Sequence, residues 1–313
     1  MQISLTWWIA LVTVVAVMLA IDLWAYRGRP AESRRRTLTW TIIWIAAGLI
    51  FGAFVWASLG ARAAHEYYAA YAIEKALSLD NVFLFYVIFQ SLNVPSKFQH
   101  KVLFWGILGA IVFRGVFIFL GVAAIERWHW ISYVFALVLL YAAWQAFRKD
   151  PAAQEENRTV KWLSRHIPMK EDIEHGRFVE RKDGGRAATP LLVALLAIEA
   201  SDVMFAIDSV PAALAITRNR FLVYSANIFA VLGLRALYLF LSATIVRLRY
   251  LHYGLAAVLA FAAIKILADE WLPIPPLVSI GIIVVFIGVA VWASLRAREK
   301  PAQHAAKDAD SGT

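Results

Sequence analysis

The chain contains no cysteine. That single absence excludes disulfides, thiolate metal sites, iron–sulfur clusters and thiol catalysis. Histidine is sparse. The seven residues, at 65, 100, 129, 166, 175, 252 and 304, fall in loops, at the ends of apolar runs or in the tail, so no pair of buried imidazoles is expected to clamp a haem. No glycine-rich phosphate loop, nucleophile elbow or metalloprotease motif occurs, which argues against ATP hydrolysis and against an enzyme. Acidic residues are few as well, 22 against 31 lysines and arginines, for a net charge of +9. Those cations lie in connecting segments, and membrane topology explains them better than a nucleic-acid partner does.

What the chain has in abundance is apolar side chain: 61% of its residues are hydrophobic and the mean hydropathy is +0.63. A soluble domain could not hide so much oil, so lipid acts as the solvent. The expected fold is therefore all-α, a polytopic membrane protein with about nine transmembrane helices. They run approximately over 4–24, 39–58, 67–91, 102–123, 130–147, 190–217, 221–245, 252–270 and 275–295. The membrane domain occupies 1–295, interrupted by a polar loop over 148–189, and 296–313 reads as a disordered tail. The first run lacks a basic leader and is long enough to span, so it is not expected to be cleaved.

Basic residues are distributed unevenly across these spans. Arg27, Arg29, Arg34, Arg35, Arg36, Lys97, Lys101, the many cations from Arg148 to Arg186, then Arg247, Arg249, Arg296, Arg298, Lys300 and Lys307 fall on one side. Arg62, Arg127, Arg218 and Arg220 fall on the other. The bias places the N-terminus outside and the C-terminus in the cytoplasm. Trp7, Trp8, Trp128, Trp130 and Trp271 lie near expected interfaces, and Asp22 reads as interfacial too. In the central loop, residues 160–167 can form a short amphipathic helix on the inner leaflet or remain an ordinary solvated connector. Thr189 and Pro190 are expected to open the next helix as cap and first-turn proline.

Two segments break the apolar pattern: Glu74-Lys-Ala-Leu-Ser-Leu-Asp80-Asn81-Val-Phe83 and Glu199-Ala-Ser-Asp202-Val-Met-Phe205-Ala-Ile-Asp208-Ser209-Val-Pro211. An ionised carboxylate at the centre of a span costs at least ~2.5–3.5 kcal/mol, so such groups face the bundle interior and usually serve an ion pathway. Asp80 lies ~20 Å and Asp202 ~18 Å into their helices, both near the middle of a ~30 Å hydrocarbon core. Aligning Asp80 on Asp202 also aligns Phe83 on Phe205, then Arg114 on Arg235 one helix later, then Tyr133 on Tyr253. The units, about 67–147 and 190–270, have three spans each and so run in opposite orientation. Inverted repeats of this kind build transporters with the site at the midplane where the copies meet.

Glu199 and Asp202 share a helix face, whereas Asp208 on an unbroken helix points elsewhere. Pro211 suggests a break near Ser209 that would free backbone carbonyls. On the other unit, Glu74 and Asn81 share nearly one face. The donors on offer are carboxylate, amide, hydroxyl and carbonyl oxygens, a set that suits hard divalent cations rather than Zn²⁺ or Cu⁺. The plainer reading is structural: Arg114, Arg235, Lys75 and Lys265 pair with the acids and lock helices together.

The two motifs resemble the hallmark segments of the TerC family of integral membrane proteins, most closely its Alx-like branch, and the resemblance extends over roughly residues 5–295. It implies a bacterial inner-membrane protein linked to manganese export, alkaline response or tellurium resistance, with Glu74, Asp80, Glu199, Asp202 and Asp208 handling the ion and Asn81 and Ser209 as further candidates. The combined expectation is secondary export of a divalent cation, Mn²⁺ before others, with proton exchange as the natural coupling and no tightly bound cofactor. The partners expected are lipid and the metal ion. Two rivals stand beside it: oxyanion handling by Arg114 and Arg235, and a non-transporting scaffold or redox modulator acting through the central loop.

Overall fold

The computed structural model describes residues 4–25, 34–148, 160, 162–163, 165, 176–182, 185–242, 250–269 and 271–310; residues 24, 25, 34, 79, 80, 181, 182, 185, 186, 241, 242 and 297–310 are described by backbone alone. Five helices come first: α1 (Leu5–Ala25), α2 (Arg34–Leu59), α3 (Ala61–Ser91), α4 (Ser96–Arg127) and α5 (Ile131–Arg148). A hairpin of β1 (Val179–Lys182) and β2 (Gly185–Ala188) follows, paired antiparallel with Val179 opposite Ala188. Then come α6 (Pro190–Leu214), α7 (Arg220–Leu232), α8 (Leu234–Ser242), α9 (Leu251–Ala268) and α10 (Pro276–Asp310).

Among the described residues, eight segments are long and apolar enough to cross a bilayer, α7 and α8 counting together as one of them. The ninth expected span is α3. Its 31 residues suffice for length, but Glu66, Glu74, Lys75 and Asp80 take it below the apolar composition of its neighbours. It needs no lipid-facing surface because other helices surround it. Tyr67, Ala69, Ala70, Ile73 and Glu74 are all 0% exposed. On α4 the sorting of faces follows the helical period. Val112, Val116 and Leu120 are exposed, while Ile107, Ile111, Arg114, Ile118 and Val122 are buried.

The helices of the two expected units pack reciprocally. Helix α3 lies against α7 and α4 against α6, while α5 pairs with α9; α3 also touches α6, α2 and α10. Such an exchange is compatible with the expected inverted repeat and does not confirm it.

Several expectations need correction. Helix α6 runs unbroken through Pro211 to Leu214. Proline near a C-terminus removes one hydrogen bond without unwinding the turns before it. The break falls instead at Gly233, between α7 and α8. A Cβ there would sit 2.9 Å from Lys75 Nζ and 3.1 Å from Trp44 Cβ, so a larger residue would press on both side chains. Asp22, read as interfacial, is buried within the protein and accepts a bond from Arg235 Nη1 at 2.5 Å, tying α1 to α8. Pro190 does open α6, but the Thr189 hydroxyl donates to the carbonyls of Arg177 (2.7 Å) and Phe178 (3.1 Å) rather than capping the helix. Trp7 and Trp8 pack edge-on against Phe221, whereas Trp128, Trp130 and Trp271 are exposed. The α10 backbone is helical to Asp310, in keeping with its alanine content.

Most of the 148–189 loop lies outside the described residues. Within it, Val160 and Leu163 are buried in the main apolar core and Trp162 is exposed, so the short helical piece packs on the protein. Lys101 on α4 donates to the Gly176 carbonyl at 2.8 Å and sits over the Phe178 ring, which anchors the segment leading into β1.

Candidate ion site at the centre of the bundle

Arg114 is 1% exposed and stands at the junction of α3, α4 and α6. Its Nη1 donates to Glu74 Oε2 at 2.8 Å and to Ser209 Oγ at 3.4 Å. Its Nε faces both Asp202 oxygens, at 3.2 and 3.1 Å, and Nη2 reaches Oδ1 at 2.9 Å. Asp202 and Ser209 are two helical turns apart, so one face of α6 presents both to the guanidinium. A buried guanidinium survives in the core only when its donors are matched in this way.

Beside this cluster lies a cavity of about 350 Å³. Its wall takes Leu77 and Asn81 from α3, Arg114 from α4, and Val138, Tyr141, Ala142, Gln145 and Ala146 from α5. Helix α6 adds Met204, Phe205, Ile207, Asp208 and Ser209, and α9 adds Leu255 and Leu259. The polar groups are therefore Asn81, Tyr141, Gln145, Asp208, Ser209 and the edge of Arg114. Asn81 is 2% exposed and its Nδ2 has no acceptor. Pro211 cannot donate to the Ile207 carbonyl, so that oxygen loses its helical partner although the helix is intact. Asp208 lies within electrostatic reach of both Arg114 and Glu74. Glu74, Asp202 and Asp208 thus outnumber the one guanidinium, and the surroundings of the cavity carry excess negative charge when all three are ionised. The space accommodates a dication with part of its water shell.

The remaining candidates are placed as follows. Glu199 shares a face with Asp202 but does not line the cavity. It lies over Gly109 of α4, where a Cβ would come within 2.0 Å of Oε1, and its Oε2 is buried without a partner. Only glycine permits that approach. The Asp80 side chain lies outside the described residues, so its expected pairing with Asp202 remains an expectation. Lys75 donates to the Ala230 carbonyl at 3.1 Å, one turn before the Gly233 break. Lys265 is remote and bonds Ser279 Oγ at 3.0 Å. Arg114 and Arg235, aligned in sequence, take different partners: Arg114 holds Glu74 and Asp202, while Arg235 holds Asp22. Among the described residues no three acidic or histidine side chains converge at metal-ligand spacing. Among the described residues, what the cavity offers is one carboxylate among neutral oxygens. Gln145, Tyr141 and Asn227, the last placed beside Glu74, were missed because single polar residues in apolar helices carry no motif.

A second cavity, of about 610 Å³, lies farther along the same helices. On α3 the sequence of positions runs from Arg62 and Glu66 at this cavity, through Ile73, to Leu77 and Asn81 at the first. On α6 it runs from Asp208 and Ser209 through Ala212 to Leu214, and on α9 from Leu255 through Ala262 to Lys265. With Leu139 of α5, these residues form an apolar layer separating the two spaces.

The description "Integral membrane protein TerC family" matches residues 59–302, a stretch that contains both acidic motifs, the Arg114 cluster and both cavities. The chain belongs to the TerC family. It is 38% identical over 302 residues to an uncharacterized membrane protein of Myxococcus xanthus, covering 95% of each chain. It is 39% identical over 288 residues to the "Putative membrane-bound redox modulator Alx" of Salmonella typhi, covering 88% of this chain and 89% of the relative. The protein of that name in Escherichia coli strain K12 is 38% identical, with 88% and 90% covered. No solved structure matches the chain.

Proposed function

We propose that this TerC-family protein is a secondary transporter that exports a hard divalent cation, Mn²⁺ first among candidates, through the central cavity. The observation that carries the reading is the surplus of carboxylates around Arg114 beside a cavity lined by Asp208, Ser209, Asn81 and Gln145. Asp208 with these neutral oxygens would bind the ion, and a single charged ligand keeps binding weak enough for release. Glu74 and Asp202, fixed by Arg114, would supply long-range negative potential. Asp80 and Glu199 remain candidates for further ligation or proton acceptance. The charge asymmetry of the loops supports an orientation in which the central cavity would lie toward the cytoplasmic half of a bacterial inner membrane. The apolar layer of Ile73, Leu139, Ala212 and Ala262 then closes the outward route.

The oxyanion alternative is less well supported, because the nitrogens of Arg114 already face carboxylates and a serine. A redox role, suggested by the name of the Alx relatives, finds no thiol in this chain. The test is cellular manganese content under manganese load in a sensitised host, comparing empty vector, wild type, Asp208→Asn, Asp80→Ala and Asp202→Ala at matched membrane levels. Wild type should lower manganese several-fold and Asp208→Asn should restore it to the vector level. Equal manganese in vector and wild type, or in wild type and Asp208→Asn, would overturn the proposal.

A further inference from the structure

The central cavity is open on one side of the bundle. Three residues of its wall also lie on the outer surface: Tyr141 of α5 is 62% exposed, and Met204 and Ile207 of α6 are 43% and 52% exposed. Within a membrane span an exposed side chain meets lipid, so the cavity has a lateral mouth between α5 and α6. The mouth exists because α5 packs chiefly on α9 and only lightly on α6. From Tyr141 a stripe continues along α5 at helical spacing to Trp144 and Arg148. The Tyr141 and Trp144 rings lie 6.1 Å apart, and the Arg148 guanidinium carbon sits 4.4 Å from the centre of the Trp144 ring. Trp144 and Arg148 are both exposed, and no described carboxylate pairs with Arg148. A guanidinium lying flat on a ring keeps its in-plane N–H donors directed outward. Arg148 stands ~10 Å along the helix axis from Tyr141, about the depth from a lipid phosphate to the upper acyl chain. An arginine and a tryptophan at a helix end are ordinary membrane anchors. Here the stripe they begin runs into the opening of a cavity.

We propose that the stripe and the mouth together seat one anionic phospholipid. Its phosphodiester is held by Arg148, its glycerol lies against Trp144, and one acyl chain crosses Tyr141, Met204 and Ile207 and closes the mouth. The charges are complementary, since a phosphodiester presents two oxygens that a guanidinium fork can bond in one plane. The chain stays across the mouth and does not enter, because hydrocarbon packed on Asp208, Asn81 and Ser209 inside would desolvate them without replacing their hydrogen bonds. The assignment does not depend on what the central cavity carries.

The probe is dioleoyl phosphatidylglycerol, compared with dioleoyl phosphatidylcholine and with the tail-free headgroup glycerophosphoglycerol. Native mass spectrometry of the purified full-length protein in detergent reads how much of each is retained. Wild type should retain one phosphatidylglycerol in preference to phosphatidylcholine, by a factor on the order of five. Arg148→Lys should keep most of that preference and Arg148→Gln should lose it. A wild type that retains the two lipids alike overturns the proposal without reference to any variant. So does an Arg148→Gln protein with the wild-type preference, or a headgroup that binds as tightly as the whole lipid. The absence of cysteine allows a second readout of where the chain lies. Ile207→Cys places a single thiol at the mouth, and phosphatidylglycerol should slow its alkylation by N-ethylmaleimide several-fold more than phosphatidylcholine does. Equal rates in the two lipids would contradict the placement of the chain and overturn the seat.

Discussion

The two cavities share five helices, α3, α4, α5, α6 and α9, yet differ in what their charges do. At the central cavity a single buried arginine is outnumbered by acids, and its pairs are almost fully desolvated. At the end cavity the ion pairs are partly solvated, with Arg62 91% exposed, and Lys265 lies within electrostatic reach of both Glu66 and Asp269. The comparison teaches that burial, not the presence of an ion pair, decides which charges hold the fold. A desolvated guanidinium without its carboxylates is costly, whereas an exposed pair can be removed with little effect.

The largest effect is therefore expected from Arg114→Gln. It strands Glu74 and Asp202 in the core and should cost about 3–5 kcal/mol of stability, read as a fall in the unfolding midpoint or as loss of folded protein from the membrane. A midpoint unchanged from wild type would remove Arg114 as the structural centre. Next, Gly109→Ala forces a methyl group into Glu199 and should cost about 1–3 kcal/mol. Glu199→Ala introduced alongside should recover most of that loss, and a double variant as unstable as the single one would show that the contact is not the cause. Asp208→Asn is expected to leave the midpoint essentially unchanged while abolishing manganese export, because Asp208 faces the cavity and holds no helix in place. The smallest effect belongs to Arg62→Gln, which breaks a pair exposed to solvent and should shift stability by no more than about 0.2–1 kcal/mol. A loss as large as that of Arg114→Gln would erase the contrast between the two ends.

Much of the membrane architecture was legible in the sequence, because long apolar runs and polar rarities are strong signals. The spans, the acidic motifs of α3 and α6, and the family all follow from them. The fine structure of the site was not. Pro211 suggested a break that α6 does not have, while Gly233 made one where only contacts with Lys75 and Trp44 call for it. Arg114 and Arg235 look equivalent when the units are aligned, but each takes whichever acid the packing delivers, and Asp22 comes from α1, outside either unit. The hairpin was missed although Asp183-Gly184 between its strands is a common turn pair. Glu199 and Asp208 belong to one motif but face different surroundings, since their nine-residue separation on a continuous helix does not return to the same contacts.

Flux of Mn²⁺ into or out of proteoliposomes, with the purified wild type compared against Asp208→Asn at equal reconstitution, tests the central claim most directly. Rapid movement with wild type and background movement with Asp208→Asn is the expected result. Equal rates in the two, or a wild type no faster than protein-free vesicles, would contradict it.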